Sequence, residues 1–154
     1  MKAKDWCFLI GAVILTILVE VAAAKFTATT VNTWYAALKK PDWTPPSWIF
    51  APVWTVLYLT MAVALFMVWR KGAQFGAYFF WFLQLLLNFT WSFFFFSLKS
   101  PWLGFIDILL LWIAIFATIV VFAKYSKGAA WLLLPYLLWV SYALTLNFEI
   151  IRLN

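Results

Sequence analysis

The chain has 154 residues, of which 68% are hydrophobic and 10% are charged, and its formal net charge is +6. This composition excludes a soluble domain, because a chain of this length could not bury so much apolar surface. The sequence contains no His and a single Cys, Cys7, which excludes a His-ligated haem, a His zinc site and an intramolecular disulfide.

Five apolar segments are each long enough to cross a hydrocarbon core, and they predict an all-α membrane protein built as a five-helix bundle. In chain order, the predicted spans are residues 6–27, 47–69, 76–98, 102–123 and 129–150. The first span continues too far for a cleaved signal peptide, so we interpret it as a retained helix. The Lys and Arg residues fall in the predicted tail and connections, where they suit membrane lipids, and no nucleic-acid partner is indicated.

The connection between the first two spans, residues 25–46, is long and unusual in composition. From Trp34 to Tyr58 the chain carries four Trp and four Pro. Indoles stack on flat ligands and favour membrane surfaces, and prolines stiffen the backbone that carries them. We therefore predict that this loop forms a wall or lid.

Polar side chains lie on one face of two of the predicted helices. In the third span, Gln84, Asn88 and Trp91 follow a spacing of four and three residues. In the fifth span, Trp139 and Asn147 flank a small residue, Ala143, at spacings of four. Amides inside a bilayer need partners, so these faces should point into the bundle, either at a ligand pocket or at another helix.

Three further residues inside the spans stand out. Pro135 predicts a kink or an irregular first turn in the last helix. Asp107 lies close to the start of its span, and we interpret it as a structural hydrogen-bonding group. Glu20 lies well inside the first span, and the sequence assigns it no role. None of these patterns provides a metal site.

Taken together, these residues resemble the pattern of a known family, the tryptophan-rich sensory proteins or translocator proteins (the TspO/MBR family), over nearly the whole chain. In the first half, the residues that carry the resemblance are Trp34, Tyr35, Leu38, Lys40, Pro41, Trp43, Pro45, Pro46, Pro52, Trp54 and Tyr58. In the second half, they are Gln84, Asn88, Trp91, Asp107, Pro135, Tyr136, Leu137, Trp139, Ala143, Leu146 and Asn147.

The resemblance implies a single transmembrane domain over residues 1–154, commonly assembled as a homodimer among membrane lipids. It also implies a pocket for porphyrins such as protoporphyrin IX and haem, and for benzodiazepine-site ligands, covered by the first loop. No cofactor is required, since the porphyrin is the ligand. The positions that match the family pocket are Trp54, Gln84, Asn88, Trp91, Trp139, Ala143 and Asn147, with Tyr35, Trp43 and Tyr58 near its mouth.

Two departures from the animal members of the family bear on ligand and location. The sterol pattern near the last helix has Phe148 where those members have Tyr, so sterol binding is not predicted. The first loop has Thr44 where they have His. Bacterial relatives tend to have Thr there, and we therefore expect a protein of the bacterial inner membrane.

Three functions remain open at the level of sequence. The first is binding of porphyrin for sensing, sequestration or transport. The second is light- and oxygen-dependent porphyrin breakdown, with Trp54 and Trp139 as the candidate catalytic residues, although no acid–base constellation supports conventional catalysis. The third is passive carriage of hydrophobic ligands. Active transport is not favoured, because the chain has no inverted repeat and no broken helices in symmetric positions.

Overall fold

The computed structural model describes residues 2–154, and within them all regular structure is helical. The α-helices are α1 (Ala3–Thr30), the single-turn α2 (Trp34–Ala37), α3 (Phe50–Trp69), α4 (Phe75–Ser92), α5 (Pro101–Ala123) and α6 (Lys127–Leu153). A 3₁₀ turn, Ser47–Ile49, precedes α3, and a π-helical segment, Phe93–Ser97, extends α4. Five of these helical units are long and apolar enough to cross a membrane.

The five predicted spans are confirmed, and their ends differ from the observed helical units by three residues at most. Local chemistry explains the last two starts. The hydroxyl oxygens of Ser100 and Ser126 accept hydrogen bonds from the Leu103 and Ala129 amides at 3.3 and 3.2 Å. These N-caps satisfy amides that have no partner within the first turn. The predicted break positions therefore follow from capping residues as well as from hydropathy.

The helices form a bundle in which α5 packs on both α4 and α6, while α1 packs on α3 and α4. The buried core is built around large side chains such as Trp81, Tyr58, Tyr136 and Phe122. Only 17% of the apolar window of α1 is buried, compared with 39% for each of the other spans. Helix α1 is therefore the outermost wall, and most of its apolar surface faces lipid.

The loop between the first two spans is shorter than predicted. Helix α1 continues to Thr30 rather than ending near residue 27, and Trp34–Ala37 makes a helical turn of its own. The Thr30 hydroxyl donates to the Phe96 carbonyl of the π-helical segment (3.2 Å), which anchors the end of α1 against the bundle. The connecting segment, residues 31–46, is hereafter called the lid.

The sequence did not predict the π-helical segment. It also offered an irregular first turn of the last helix as one position for Pro135, and the structure differs from that alternative. Phe93–Ser97 adopts the wider turn at the end of α4, a geometry that changes the direction of the side chains that follow it. Pro135 lies within a continuous α6, in its third turn rather than its first. Both features lie on helices that contribute to the site described next.

Candidate functional site

A cavity of about 440 Å³ lies between α1, α3, α4 and α6, below the lid. Its lining is mostly apolar. The lining residues are Glu20, Ala23, Ala24, Thr27, Ala28, Val31, Asn32, Tyr35, Ser47, Trp48, Phe50, Ala51, Trp54, Tyr58, Asn88, Trp91, Ser92, Phe95, Phe96, Ala143, Leu146, Asn147 and Ile150. A concave, apolar site with a few polar groups is the usual form of a small-molecule pocket.

The structure brings together seven of the ten residues that the sequence proposed for ligand binding. These seven line the cavity: Tyr35, Trp54, Tyr58, Asn88, Trp91, Ala143 and Asn147. The other three, Trp43, Gln84 and Trp139, lie outside its lining. The two predicted polar faces of α4 and α6 therefore do converge on one cavity, although neither face contributes all of its members.

Asn88 forms the polar floor of the cavity. Its Oδ1 accepts a hydrogen bond from the Tyr58 hydroxyl at 2.6 Å, and its Nδ2 donates to the Tyr136 hydroxyl at 2.8 Å. All three side chains are buried. The amide thus joins α4 to α3 and α6, so the two readings of this face, helix-to-helix bonding and pocket lining, both apply to Asn88.

A second polar group, Asn147 on α6, connects α4 to the start of α5 beside the cavity. Its Oδ1 accepts from Trp91 Nε1 at 3.4 Å, and its Nδ2 donates to the Pro101 carbonyl at 2.9 Å. Trp91 in turn stacks on Phe95, with ring centroids 5.4 Å apart and an interplanar angle of 24°. The amide therefore holds one indole of the cavity wall in a defined orientation.

Gly104 on α5 makes this arrangement sterically feasible. A Cβ atom at this position would lie 2.9 Å from Phe95 Cδ2 and 3.1 Å from Asn147 Oδ1. Neither distance is compatible with ordinary packing without displacement of the neighbour. The absence of a side chain at residue 104 thus allows α5 to lie close to both the π-helical segment and α6 behind the cavity.

Gln84, one turn before Asn88 on α4, is placed differently from the prediction. It is 1% exposed, and neither its Oε1 nor its Nε2 has a hydrogen-bond partner among residues 2–154. Gln84 shares a helical face with Asn88, but neighbouring helices cover this part of α4, so Gln84 is not in the cavity lining. Its amide is part of the bundle interior beneath the floor formed by Asn88.

Trp43 and Trp139 belong to an aromatic contact between the lid and α6. The Trp139 ring stacks on Tyr142, with centroids 5.8 Å apart, and Tyr142 packs edge-on against Trp43 at 5.5 Å. The Tyr142 hydroxyl also donates to the Trp43 carbonyl at 2.8 Å. Trp139 does not line the cavity itself but packs edge-on against Phe50, a lining residue, with ring centroids 5.8 Å apart.

The Lys40 side chain holds the lid together by binding backbone carbonyls of other lid residues. Its Nζ donates to the Tyr35 and Leu38 carbonyls at 2.7 and 2.9 Å and lies 4.8 Å from the centre of the Tyr35 ring. Burial raises the pKa of the Tyr35 phenol above its ordinary value. Lys40 is thus committed to lid structure, whereas the Lys39 side chain is exposed.

Several lining residues were not singled out from the sequence. The wall contributed by α1 consists of small side chains, among them Ala23, Ala24 and Ala28. The run of Ala and Thr after Glu20 was a usable signal, because small residues leave space beside a helix. Phe95 and Phe96 had no such signal, since their direction depends on the π-helical segment.

Asp107 lies outside the cavity lining. Its Oδ1 accepts a hydrogen bond from the Thr90 hydroxyl at 2.8 Å, which links α5 to α4. The side chain is 4% exposed. This placement agrees with the structural hydrogen-bonding role that the sequence suggested.

Comparison with known proteins shows one consistent set of relatives. Residues 12–153 match the model of the TspO/MBR family. The chain is 44% identical to the tryptophan-rich protein TspO of Chlorobaculum tepidum, covering 91% of each chain, and 43% identical to the protein of the same name from Archaeoglobus fulgidus, covering 95% of this chain and 96% of the relative. It is also 34% identical to the translocator protein of Bos taurus, over 96% and 90% of the two chains.

Proposed function

Because the chain belongs to the TspO/MBR family of membrane proteins, we propose that its cavity binds flat, hydrophobic ligands, in particular porphyrins such as protoporphyrin IX and haem, and benzodiazepine-site compounds. The observation that carries the proposal is the combination of indole and phenol rings with amides around one cavity. Trp54, Trp91 and Tyr58 supply aromatic surface, while Asn88 supplies the polar floor. Such rings suit stacking on a planar macrocycle.

The size of the cavity supports this proposal. Its volume of about 440 Å³ falls in the range of roughly 300–1,000 Å³ that is typical of small-molecule sites. Burial of a large flat ligand against an apolar lining would supply most of the binding energy. The lining includes no Lys or Arg, so the porphyrin propionates would remain at the opening of the cavity rather than be buried within it.

Titration with protoporphyrin IX in the dark tests the proposal directly. We expect saturable quenching of Trp fluorescence in the detergent-purified protein, and an affinity at least several-fold lower for Trp54→Phe and for Asn88→Ala. Trp131→Phe is the matched control, because Trp131 is 70% exposed on the outer face of α6. Absence of saturable binding, or equal affinity in all three variants and the parent, would refute the pocket.

We propose the same membrane setting as the sequence suggested, a bacterial inner membrane, with the protein as a homodimer and without a required cofactor. Whether binding serves sensing, sequestration or passive carriage is separable by experiment. Protoporphyrin uptake into vesicles containing the protein, compared with empty vesicles, distinguishes carriage from binding alone. Equal uptake by both kinds of vesicle would reject the carrier.

A further inference from the structure

Glu20 is the only carboxylate among the residues that line the cavity. The lining contains no Lys and no Arg, so an ionised Glu20 has no counter-charge from the protein within the cavity. A carboxylate inside a membrane span is costly unless a cation, a hydrogen-bond donor or water offsets its lost hydration. This position therefore calls for an explanation that the porphyrin pocket does not supply.

The two carboxylate oxygens of Glu20 differ in their surroundings. The Thr55 hydroxyl on α3 lies 2.5 Å from Oε1 and 3.0 Å from the Ala51 carbonyl, and it has one hydrogen to share between these two acceptors. No residue within the described chain donates to Oε2 or forms an ion pair with it. Oε2 is not fully buried, so it remains accessible. One oxygen thus orients the group, and the other is free to meet a ligand.

The position of Glu20 within the cavity also indicates a ligand. The cavity opens between α1 and the start of α3, where Ala24, Ala28 and Ala51 are lining residues with exposed surface. Glu20 lies ten residues before the end of α1, or about 15 Å along the helix, at the inner end of that opening. A molecule that enters between these helices reaches Glu20 after it has passed the small Ala side chains.

Aromatic rings lie in the same part of the cavity. Trp54 precedes the Thr55 that holds Glu20, and its ring is 6.0 Å from that of Tyr58; both line the cavity. Aromatic faces attract cations as well as flat apolar groups, and a desolvated cation gains most from such contacts. A carboxylate next to these rings combines the two features that recognise an aromatic cation.

We propose that Glu20 forms a cation subsite of this cavity, which binds the protonated amine of a flat aromatic ligand. The proposal rests on the proposed function, because it assigns a further chemical class to the same cavity. Thr55 positions the carboxylate through Oε1, Oε2 meets the N–H⁺ group, and Trp54 and Tyr58 cover the ring system. A neutral ring of the same shape would bind without that ion pair and so more weakly.

Two dyes of nearly the same shape test the proposal. At neutral pH, 9-aminoacridine is a cation whereas acridine is neutral, so their affinity ratio isolates the contribution of charge. We expect the parent protein, in a non-ionic detergent, to favour the cation by about tenfold, as a charged hydrogen bond would give. Glu20→Gln should abolish this preference, so that the two dyes bind with similar affinity, since Gln can still accept from Thr55.

Asp42→Asn provides the matched control, because it removes one negative charge at an exposed lid residue outside the cavity lining. It should retain the preference for 9-aminoacridine. The proposal is overturned if the parent shows no preference, if Asp42→Asn loses it equally, or if Glu20→Gln weakens both dyes alike. Saturable protoporphyrin binding without any dye preference would reject the cation subsite alone, whereas loss of protoporphyrin binding in the parent would reject the proposed function.

Discussion

Lys39 in the lid and Asn154 after the end of α6 are paired through two hydrogen bonds across 115 positions of sequence. The Lys39 amide donates to Asn154 Oδ1 at 3.0 Å, and Asn154 Nδ2 donates back to the Lys39 carbonyl at 2.9 Å. The Asn154 side chain thus pairs with both the N–H and the C=O of Lys39, as a neighbouring β-strand would. It fixes the middle of the lid to the last helix.

Asn154→Ala should release this part of the lid. The Lys39 amide would lose its acceptor, so we expect its hydrogen exchange to become faster by roughly fivefold, equivalent to one lost hydrogen bond of about 1 kcal/mol. Exchange measured by mass spectrometry on a peptide that contains residue 39 reports the change. Lys39→Ala is the control, because the pair uses only the backbone of that residue. Equal exchange in Asn154→Ala and the parent would contradict the prediction.

Asn88→Ala should destabilise the bundle more than either Tyr58→Phe or Tyr136→Phe. The Asn88 change leaves two buried hydroxyl groups without this partner and is expected to cost about 2–6 kcal/mol, since each such group costs about 1–3 kcal/mol. Each Phe variant leaves only one polar atom of the buried Asn88 amide without a partner and should cost about 1–3 kcal/mol. Reversible unfolding in mixed micelles measures all three. A cost for Asn88→Ala no larger than for the Phe variants would mean that the hydroxyl groups find other partners.

Gly104→Ala should distort the wall of the cavity. The added Cβ would press on Phe95 and on the Asn147 carboxamide, and overpacking of this kind costs about 1–3 kcal/mol. We also expect weaker protoporphyrin binding, because Asn147 orients the Trp91 indole.

Gly11→Ala is the matched change for that prediction. It lies within α1 with no atom within 4 Å of the added Cβ, so it should leave binding unchanged and stabilise the helix by about 0.5–1 kcal/mol. If the two Ala variants bind and unfold alike, close approach at residue 104 has no role in the site.

Illumination of bound protoporphyrin should separate the two Trp residues that the sequence grouped as candidate catalytic residues. Trp54 lines the cavity, whereas Trp139 does not line it but packs against Phe50. Any light-driven breakdown that uses an indole in contact with the ligand should therefore slow more in Trp54→Phe than in Trp139→Phe. Absorbance spectra under light, at equal occupancy, measure the rates. Equal rates in both variants and the parent would show that bound porphyrin reacts without help from either indole.

The sequence predicted the spans and the polar faces well, because both depend on properties that are local to one helix. Hydropathy locates a span, and a spacing of three or four residues places Asn88 and Trp91 on one face. It predicted lining less well. Gln84 shares the face of Asn88 but is covered by neighbouring helices, and Trp139 does not line the cavity but packs against Phe50, a residue from another span.

By itself, therefore, the sequence determined that this is a five-span membrane protein of one family, with aromatic and amide side chains turned inward. Only the tertiary structure decided which of these side chains share a cavity, and that Glu20 joins them. The reason is physical: periodicity gives the direction of a side chain relative to its own helix, whereas a cavity depends on how several helices are rotated and spaced. The contact between Glu20 and Thr55 crosses from α1 to α3, and no spacing within either helix encodes it.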